Sequence, residues 1–219
     1  MENRKQEEKE EKRVALQTPR GEVSIQGPVS THLIEKCTFH HELANFRPPP
    51  RQKEALIFIA GLPEGMVYTA LYGGSIIGYT TFHRPHKFSR WSRHPRILEL
   101  GTIEVAPEWR RYGVGKKLLE VSFANPSLEE YVVITTEFSR HWDLRGSCLS
   151  VWQYQKMLTK LFGTVGMQQV HTDDPSILEH PANVLMVRFG KNTGARDRLL
   201  FAELQFEKEG SEARAVRVT

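Results

Sequence analysis

The chain has 219 residues, 39% of them hydrophobic, which suits one compact domain with a real core better than two small ones. A net charge of +4 and a pI of about 9.1 are compatible with a polyanionic ligand, but there is no dense Lys/Arg stripe of the kind a nucleic-acid binder carries. No apolar run approaches the roughly 20 residues that cross a bilayer, and the start lacks a secretory h-region, so neither membrane nor export is expected. The two cysteines, Cys37 and Cys148, are far apart, which argues against a disulfide framework and fits a reduced, cytoplasmic setting.

Residues 1–13 mix Lys/Arg with Glu and read as a charged, solvated tail, with the folded part beginning near Val14. Gly21 to Val29 is predicted as a first strand, and Ser30 opens a helical stretch from Thr31 to Phe46. The run Arg47-Pro-Pro-Pro-Arg51 stops that helix. Gln52 to Ala60 forms a second one, closed by a turn at Gly61 to Gly65. Met66 to Tyr72 and Ser75 to Phe82 flank Gly73-Gly74 and predict a hairpin.

A basic, aromatic loop from His83 to Arg96 leads to a strand at Ile97 to Val105, a turn at Pro107 to Tyr112, and a helix from Gly113 to Ala124. That helix places Val114, Leu118, Leu119 and Val121 on one face. Tyr131 to Thr136 reads as a buried strand, so strand, helix and strand imply parallel pairing. Ser150 to Phe162 is an amphipathic helix, and Met167 to His171 and Asn183 to Phe189 are the last strands, joined through Asp173 to Pro181.

The stretch Arg110-Arg-Tyr-Gly113-Val-Gly115 sits after a strand and at the start of a helix. It resembles the coenzyme A loop of the GNAT superfamily of N-acetyltransferases, Arg/Gln-x-x-Gly-x-Gly/Ala. Glycines there let backbone N–H groups crowd a pyrophosphate, and the helix N-terminus adds partial positive charge. A dinucleotide-binding alternative would want a third glycine where Leu118 stands. The resemblance implies an α/β fold, a mixed central sheet of about six to seven strands flanked by helices. The domain would span residues 14–206, with a C-terminal tail over residues 207–219. It also implies acetyl-CoA as cosubstrate, held by Ile103, Val105, Arg110, Arg111, Tyr112, Gly113, Val114, Gly115 and Lys116. Arg111 departs from the pattern, standing where many members have glycine.

Longer segments carry a closer resemblance. Among them are Ile25-Gln-Gly-Pro-Val-Ser30, Ile59-Ala-Gly-Leu-Pro-Glu-Gly65, Ile103-Glu-Val-Ala-Pro107, His141-Trp-Asp-Leu144 and His180-Pro-Ala-Asn183. These are similar to the acetoin utilization (AcuA) family, understood as protein lysine acetyltransferases that modify and switch off AMP-forming acetyl-CoA synthetase. That resemblance implies a regulatory enzyme whose partner is the synthetase. An enzyme for small amines and a non-catalytic acetyl-CoA-binding module that inhibits by docking are the alternatives.

A lysine amine with a pKa near 10.4 must lose a proton to attack a thioester. Two carboxylates on the strand Ile97 to Val105 are candidates for the base, Glu99 and Glu104. In an unbroken strand they point to opposite faces, and a one-residue bulge would reverse the parity beyond it. Such a bulge, which GNAT members carry, would also free N–H groups near Ile103 and Val105 for the thioester carbonyl. By resemblance, Tyr154 is the candidate acid for the departing thiolate. His141, Trp142 and Asp143 are candidates for substrate-lysine recognition. A covalent route through Cys148 lacks a neighbouring base in the sequence, and His83, His86 and His94 among arginines read as solvated loop histidines, so no metal is expected.

Overall fold

The structure, a computed structural model, describes residues 12–207. The charged tail expected at residues 1–13 therefore lies outside the described residues except for Lys12 and Arg13, and both of these belong to a strand. The C-terminal tail lies outside except for Glu207. The described residues sort into two compact units. The first comprises residues 12–81 together with Thr102–Ala124, the second Phe82–Gly101 and residues 125–207.

In the first unit β1 (Lys12–Thr18) and β2 (Gly21–Gly27) form an antiparallel hairpin, and β2 pairs with β4 (Met66–Tyr72). β1 alternates exposed Arg13, Ala15 and Gln17 with half-buried Val14, Leu16 and Thr18, the period of a strand with one covered face. Helix α1 (Thr31–Lys36) starts at Ser30, whose hydroxyl accepts the Leu33 N–H at 3.3 Å. The predicted continuation to Phe46 is wrong. The chain turns extended at Cys37, and β3 (Thr38–Phe39) pairs in parallel with β5 (Ser75–His83), a partner that local periodicity does not reveal. Helix α2 (Pro49–Ala60) begins three residues earlier than expected, because Pro49 and Pro50 fill its first positions, where a missing N–H costs nothing.

The β4–β5 turn is as predicted. Gly73 and Gly74 have φ of 55° and 80°, the left-handed pair of a two-residue hairpin turn. β6 (Ile97–Val105) runs through both units, and α3 (Val114–Phe123) buries Val114, Leu118, Leu119 and Val121 as expected.

In the second unit β7 (Val132–Glu137) pairs in parallel with the start of β6 over Ile97–Val132, Leu98–Val133 and Glu99–Ile134, and along its whole length antiparallel with β9 (Val184–Phe189). Short α4 (Leu144–Ser147) precedes α5 (Val151–Gly163), which opens with a reciprocal capping box between Ser150 and Gln153. β8 (Gln168–Val170) edges β9, and α6 (Pro175–Leu178) lies in the stretch read as a loop. Helix α7 (Ala195–Gln205) was not foreseen. Its Phe201 stacks on Trp91 with ring centroids 5.4 Å apart, in a core cluster with Ile97, Val132, Ile134, Leu185 and Val187.

Just past β9 the chain lies directly on the turn before β7. Gly190 donates its N–H to Tyr131 O at 3.0 Å, and a Cβ there would come within 2.3 Å of Glu129 O. The strand order is β1-β2-β4-β5-β6-β7-β9-β8 with β3 on β5, nine strands among the described residues against the six to seven expected. No helix among the described residues is long and apolar enough to cross a membrane.

Candidate functional site

The first unit holds the glycine loop. Trp109 N–H donates to Ala106 O at 2.8 Å and Arg110 N–H to Pro107 O at 3.2 Å, forming a tight turn after β6. The Arg110 side chain is turned back, with Nε donating to Val105 O at 3.0 Å. Gly113 caps α3 in the left-handed region, φ 81°, and a Cβ there would meet nothing within 4 Å. Backbone conformation, not crowding, therefore calls for glycine. At Gly115 a Cβ would make ordinary contacts with Val105 at 3.7 Å and Ile103 at 3.8 Å.

The first turn of α3 presents the N–H groups of Val114, Gly115 and Lys116, which have no partner inside a helix. Val114 is 1% exposed, so only its backbone can serve a ligand. Lys116 Nζ lies 3.6 Å from Glu120, which bonds Lys117 more closely at 2.8 Å; hydrogen bonding to Lys117 first, and the charges of both lysines, hold the Glu120 carboxyl below its usual range. Arg111, the departure from the family pattern, has φ 66°. The glycine usual at this place has a physical reason: the position is left-handed, and arginine occupies it at a steric cost.

Glu104 is 5% exposed. Its Oε1 accepts the Asn45 N–H at 2.9 Å and its Oε2 accepts the Tyr79 hydroxyl. Burial first, then the Glu104 carboxylate, push the Tyr79 hydroxyl far above its ordinary pKa, with Arg47 acting in the opposite direction. Tyr79 of β5 thus faces Glu104 of β6, whereas the His83 ring lies over Gly101, at 2.3 Å from where a Cβ would stand.

The second unit holds the other candidates. Glu99 is half-buried, and its Oε1 accepts the Thr136 hydroxyl at 3.0 Å. Trp142 is buried and stacks on Tyr154 of α5, with centroids 5.3 Å apart and planes 17° from parallel. Its indole N–H points at Glu137 Oε2, 3.4 Å away. Asp143 is an N-cap, its Oδ1 accepting the Gly146 N–H at 2.8 Å, which occupies that oxygen structurally. His141 is exposed and meets Phe138 edge-on at 5.8 Å; burial first and Arg140 second lower its pKa.

Sequence reasoning missed Glu137 and Tyr79. Burial, and then the charge of Glu99, raise the Glu137 carboxyl, against the opposing hydrogen bonds from Thr135 and Trp142. Only the adjacency of Glu137 to the His141-Trp142 segment could have flagged it. Cys148 is exposed, with φ 56°, and its Sγ lies 3.6 Å from Arg145 O. Of the loop histidines weighed for metal, His94 is fully buried, with Nε2 on Asp197 O at 3.0 Å and Nδ1 accepting the Arg96 N–H at 3.0 Å. A different group, His40, Glu42 and Glu108, brings its ligand atoms within 4.8 Å of one another, but Arg20 and His40 already hold Glu108, each at 2.9 Å.

A match to the acetyltransferase (GNAT) family covers residues 32–124, which contain β6 and the glycine loop. The acetoin utilization protein AcuA of Bacillus licheniformis is 46% identical over 193 residues, 87% of this chain and 92% of that protein. The crystal structure of an acetoin utilization protein from Exiguobacterium sibiricum is 44% identical and superposes with a TM-score of 0.87 over 90% of this chain and 94% of that one. A phosphinothricin acetyltransferase from Sinorhizobium meliloti, solved in complex with AcCoA, shares the fold with a TM-score of 0.52 at 18% identity, over 78% of this chain and 90% of that one. With a left-handed glycine turn heading α3 and 46% identity to a relative over 87% of this chain and 92% of that one, the protein belongs to the GNAT acetyltransferases, in the acetoin utilization group.

Proposed function

We propose that this acetyltransferase moves the acetyl group of acetyl-CoA to a lysine of AMP-forming acetyl-CoA synthetase, in the cytoplasm, and thereby switches the synthetase off. The observation that carries the cosubstrate is the loop ahead of α3: Arg111 and Gly113 both left-handed, and open space over Gly113. That backbone suits a diphosphate, because successive N–H groups and the helix N-terminus converge on it without side chains in the way. Arg110 to Lys116 would hold the phosphates, and the N–H groups of Ile103 and Val105 would polarise the thioester carbonyl.

Glu99 is the base in this reading. It is half-buried and bound through one oxygen to Thr136, which orients the carboxylate and leaves Oε2 to accept the ammonium proton of the substrate lysine. The free amine then attacks the carbonyl carbon, the nitrogen of the tetrahedral intermediate gives its second proton to solvent, the C–S bond breaks as the intermediate collapses to the amide, and the thiolate leaves. Tyr154, steadied by the Trp142 ring, is the candidate to protonate that thiolate, and Trp142 and His141 are candidates to receive the lysine stem. The AcuA likeness supports a protein as acceptor.

The test is to incubate the protein with acetyl-CoA and purified AMP-forming acetyl-CoA synthetase and to read the synthetase by mass spectrometry. One acetylated lysine together with lost synthetase activity is expected. Lost activity with no mass change would establish docking instead, and acetylation of a polyamine but not of the synthetase would move the enzyme to small amines.

A further inference from the structure

Glu104 sits on β6 between Ile103 and Val105, and its carboxylate accepts from two donors of the first unit, the backbone N–H of Asn45 at 2.9 Å and the hydroxyl of Tyr79. Tyr79 is fully buried on the neighbouring strand β5, and Asn45 belongs to the segment between β3 and α2. One side chain therefore ties three stretches of chain together. With its pKa pushed up by burial and by Glu104, the Tyr79 hydroxyl keeps its proton and stays a donor.

A carboxylate so placed is badly suited to take a proton from an amine. Both of its oxygens already accept a hydrogen bond, and protonating it would weaken these bonds, because a neutral carboxyl is a poorer acceptor than a carboxylate. The same bonds are well suited to another task. The side chain springs from the backbone between the two residues whose amides the proposed reaction uses, so fixing the carboxylate fixes those amides. In a preorganised site a misplacement of about 1 Å costs on the order of a hundredfold in rate.

We infer that Glu104 is a positioning residue, an anchor from Tyr79 and Asn45 that holds the Ile103–Val105 amides in place, and that Glu99 alone is the base. The inference rests on the reading in which those amides serve the thioester of acetyl-CoA.

It is tested by steady-state kinetics of the full chain with acetyl-CoA and the synthetase, using Glu99→Gln, Glu104→Gln, Glu104→Ala and Tyr79→Phe. Glutamine at 104 can still accept the Asn45 N–H through its oxygen and donate to the Tyr79 oxygen through its nitrogen. Glu104→Gln should therefore keep kcat within about threefold, whereas Glu104→Ala should lose about tenfold or more in kcat with little change in KM for acetyl-CoA. If Glu104→Ala does not fold, Tyr79→Phe keeps the ring, cuts one tie and should still lower kcat several-fold. Glu99→Gln should lose on the order of a hundredfold or more at unchanged acetyl-CoA affinity.

Glu104→Gln as inactive as Glu99→Gln would make Glu104 a base and overturn the inference. So would full activity in both Glu104→Ala and Tyr79→Phe. Calorimetry of the unaltered chain that detects no acetyl-CoA binding would sink the underlying reading, and the inference with it, before any variant is compared.

Discussion

At the scale of single residues, backbone conformation explains what composition does not. Arg111 holds φ 66° where family members favour glycine, and a non-glycine residue in that region costs about 1–2 kcal/mol. Comparing Arg111→Gly with Arg111→Ala removes the charge in both and isolates the conformation. The glycine variant should unfold with about 1 kcal/mol more stability, read from denaturant midpoints at constant m. Glu137 yields a pH prediction. Its carboxyl is raised by burial first and then by Glu99, so the folded chain holds that proton more tightly than the unfolded one. Stability is fully present below the ordinary glutamate value near 4.5 and is lost as pH rises through the raised folded value. Glu137→Gln should accordingly raise the melting temperature at pH 7, and that gain should shrink as the pH falls to about 4.

At the scale of elements, legibility followed locality. The Gly73-Gly74 hairpin, the boundaries of β6, the buried face of α3 and the amphipathic helix opening at Ser150 were readable because their signals lie within a few residues of one another. Ser150→Ala should test the last of these, lowering stability by about 1 kcal/mol in chemical denaturation through loss of the capping box. β3 and α7 were not readable. Thr38 and Phe39 become a strand only because β5 offers parallel partners, and α7 carries little amphipathic pattern, being fixed instead by Phe201 on Trp91. Phe201→Ala should therefore cost about 3–5 kcal/mol, a large effect for a helix the periodicity did not announce. The candidate site divides along the same line. The glycine loop is contiguous in sequence and was legible, whereas the Tyr79–Glu104 contact joins segments 25 residues apart, and nothing in the order of the residues encodes it.

At the scale of the whole molecule, ligand linkage offers the simplest readout. If the loop before α3 holds acetyl-CoA, the cosubstrate binds folded chain alone and should stabilise it by about 2.7 kcal/mol at a hundred times Kd, visible as a rising melting temperature with added acetyl-CoA. Gly113→Ala, strained at φ 81° but unobstructed, should weaken that shift more than it lowers the melting temperature of the chain without acetyl-CoA. Whether the two compact units melt together is a separate question, and Gly190 supplies a way to ask it. A single methyl group there must push against the main chain of Glu129, an injury confined to the second unit. In Gly190→Ala, one calorimetric peak at a lower temperature would mean that the whole chain unfolds as one cooperative body. A divided trace, with one part left at the original temperature, would mean that the first unit can survive the loss of its neighbour.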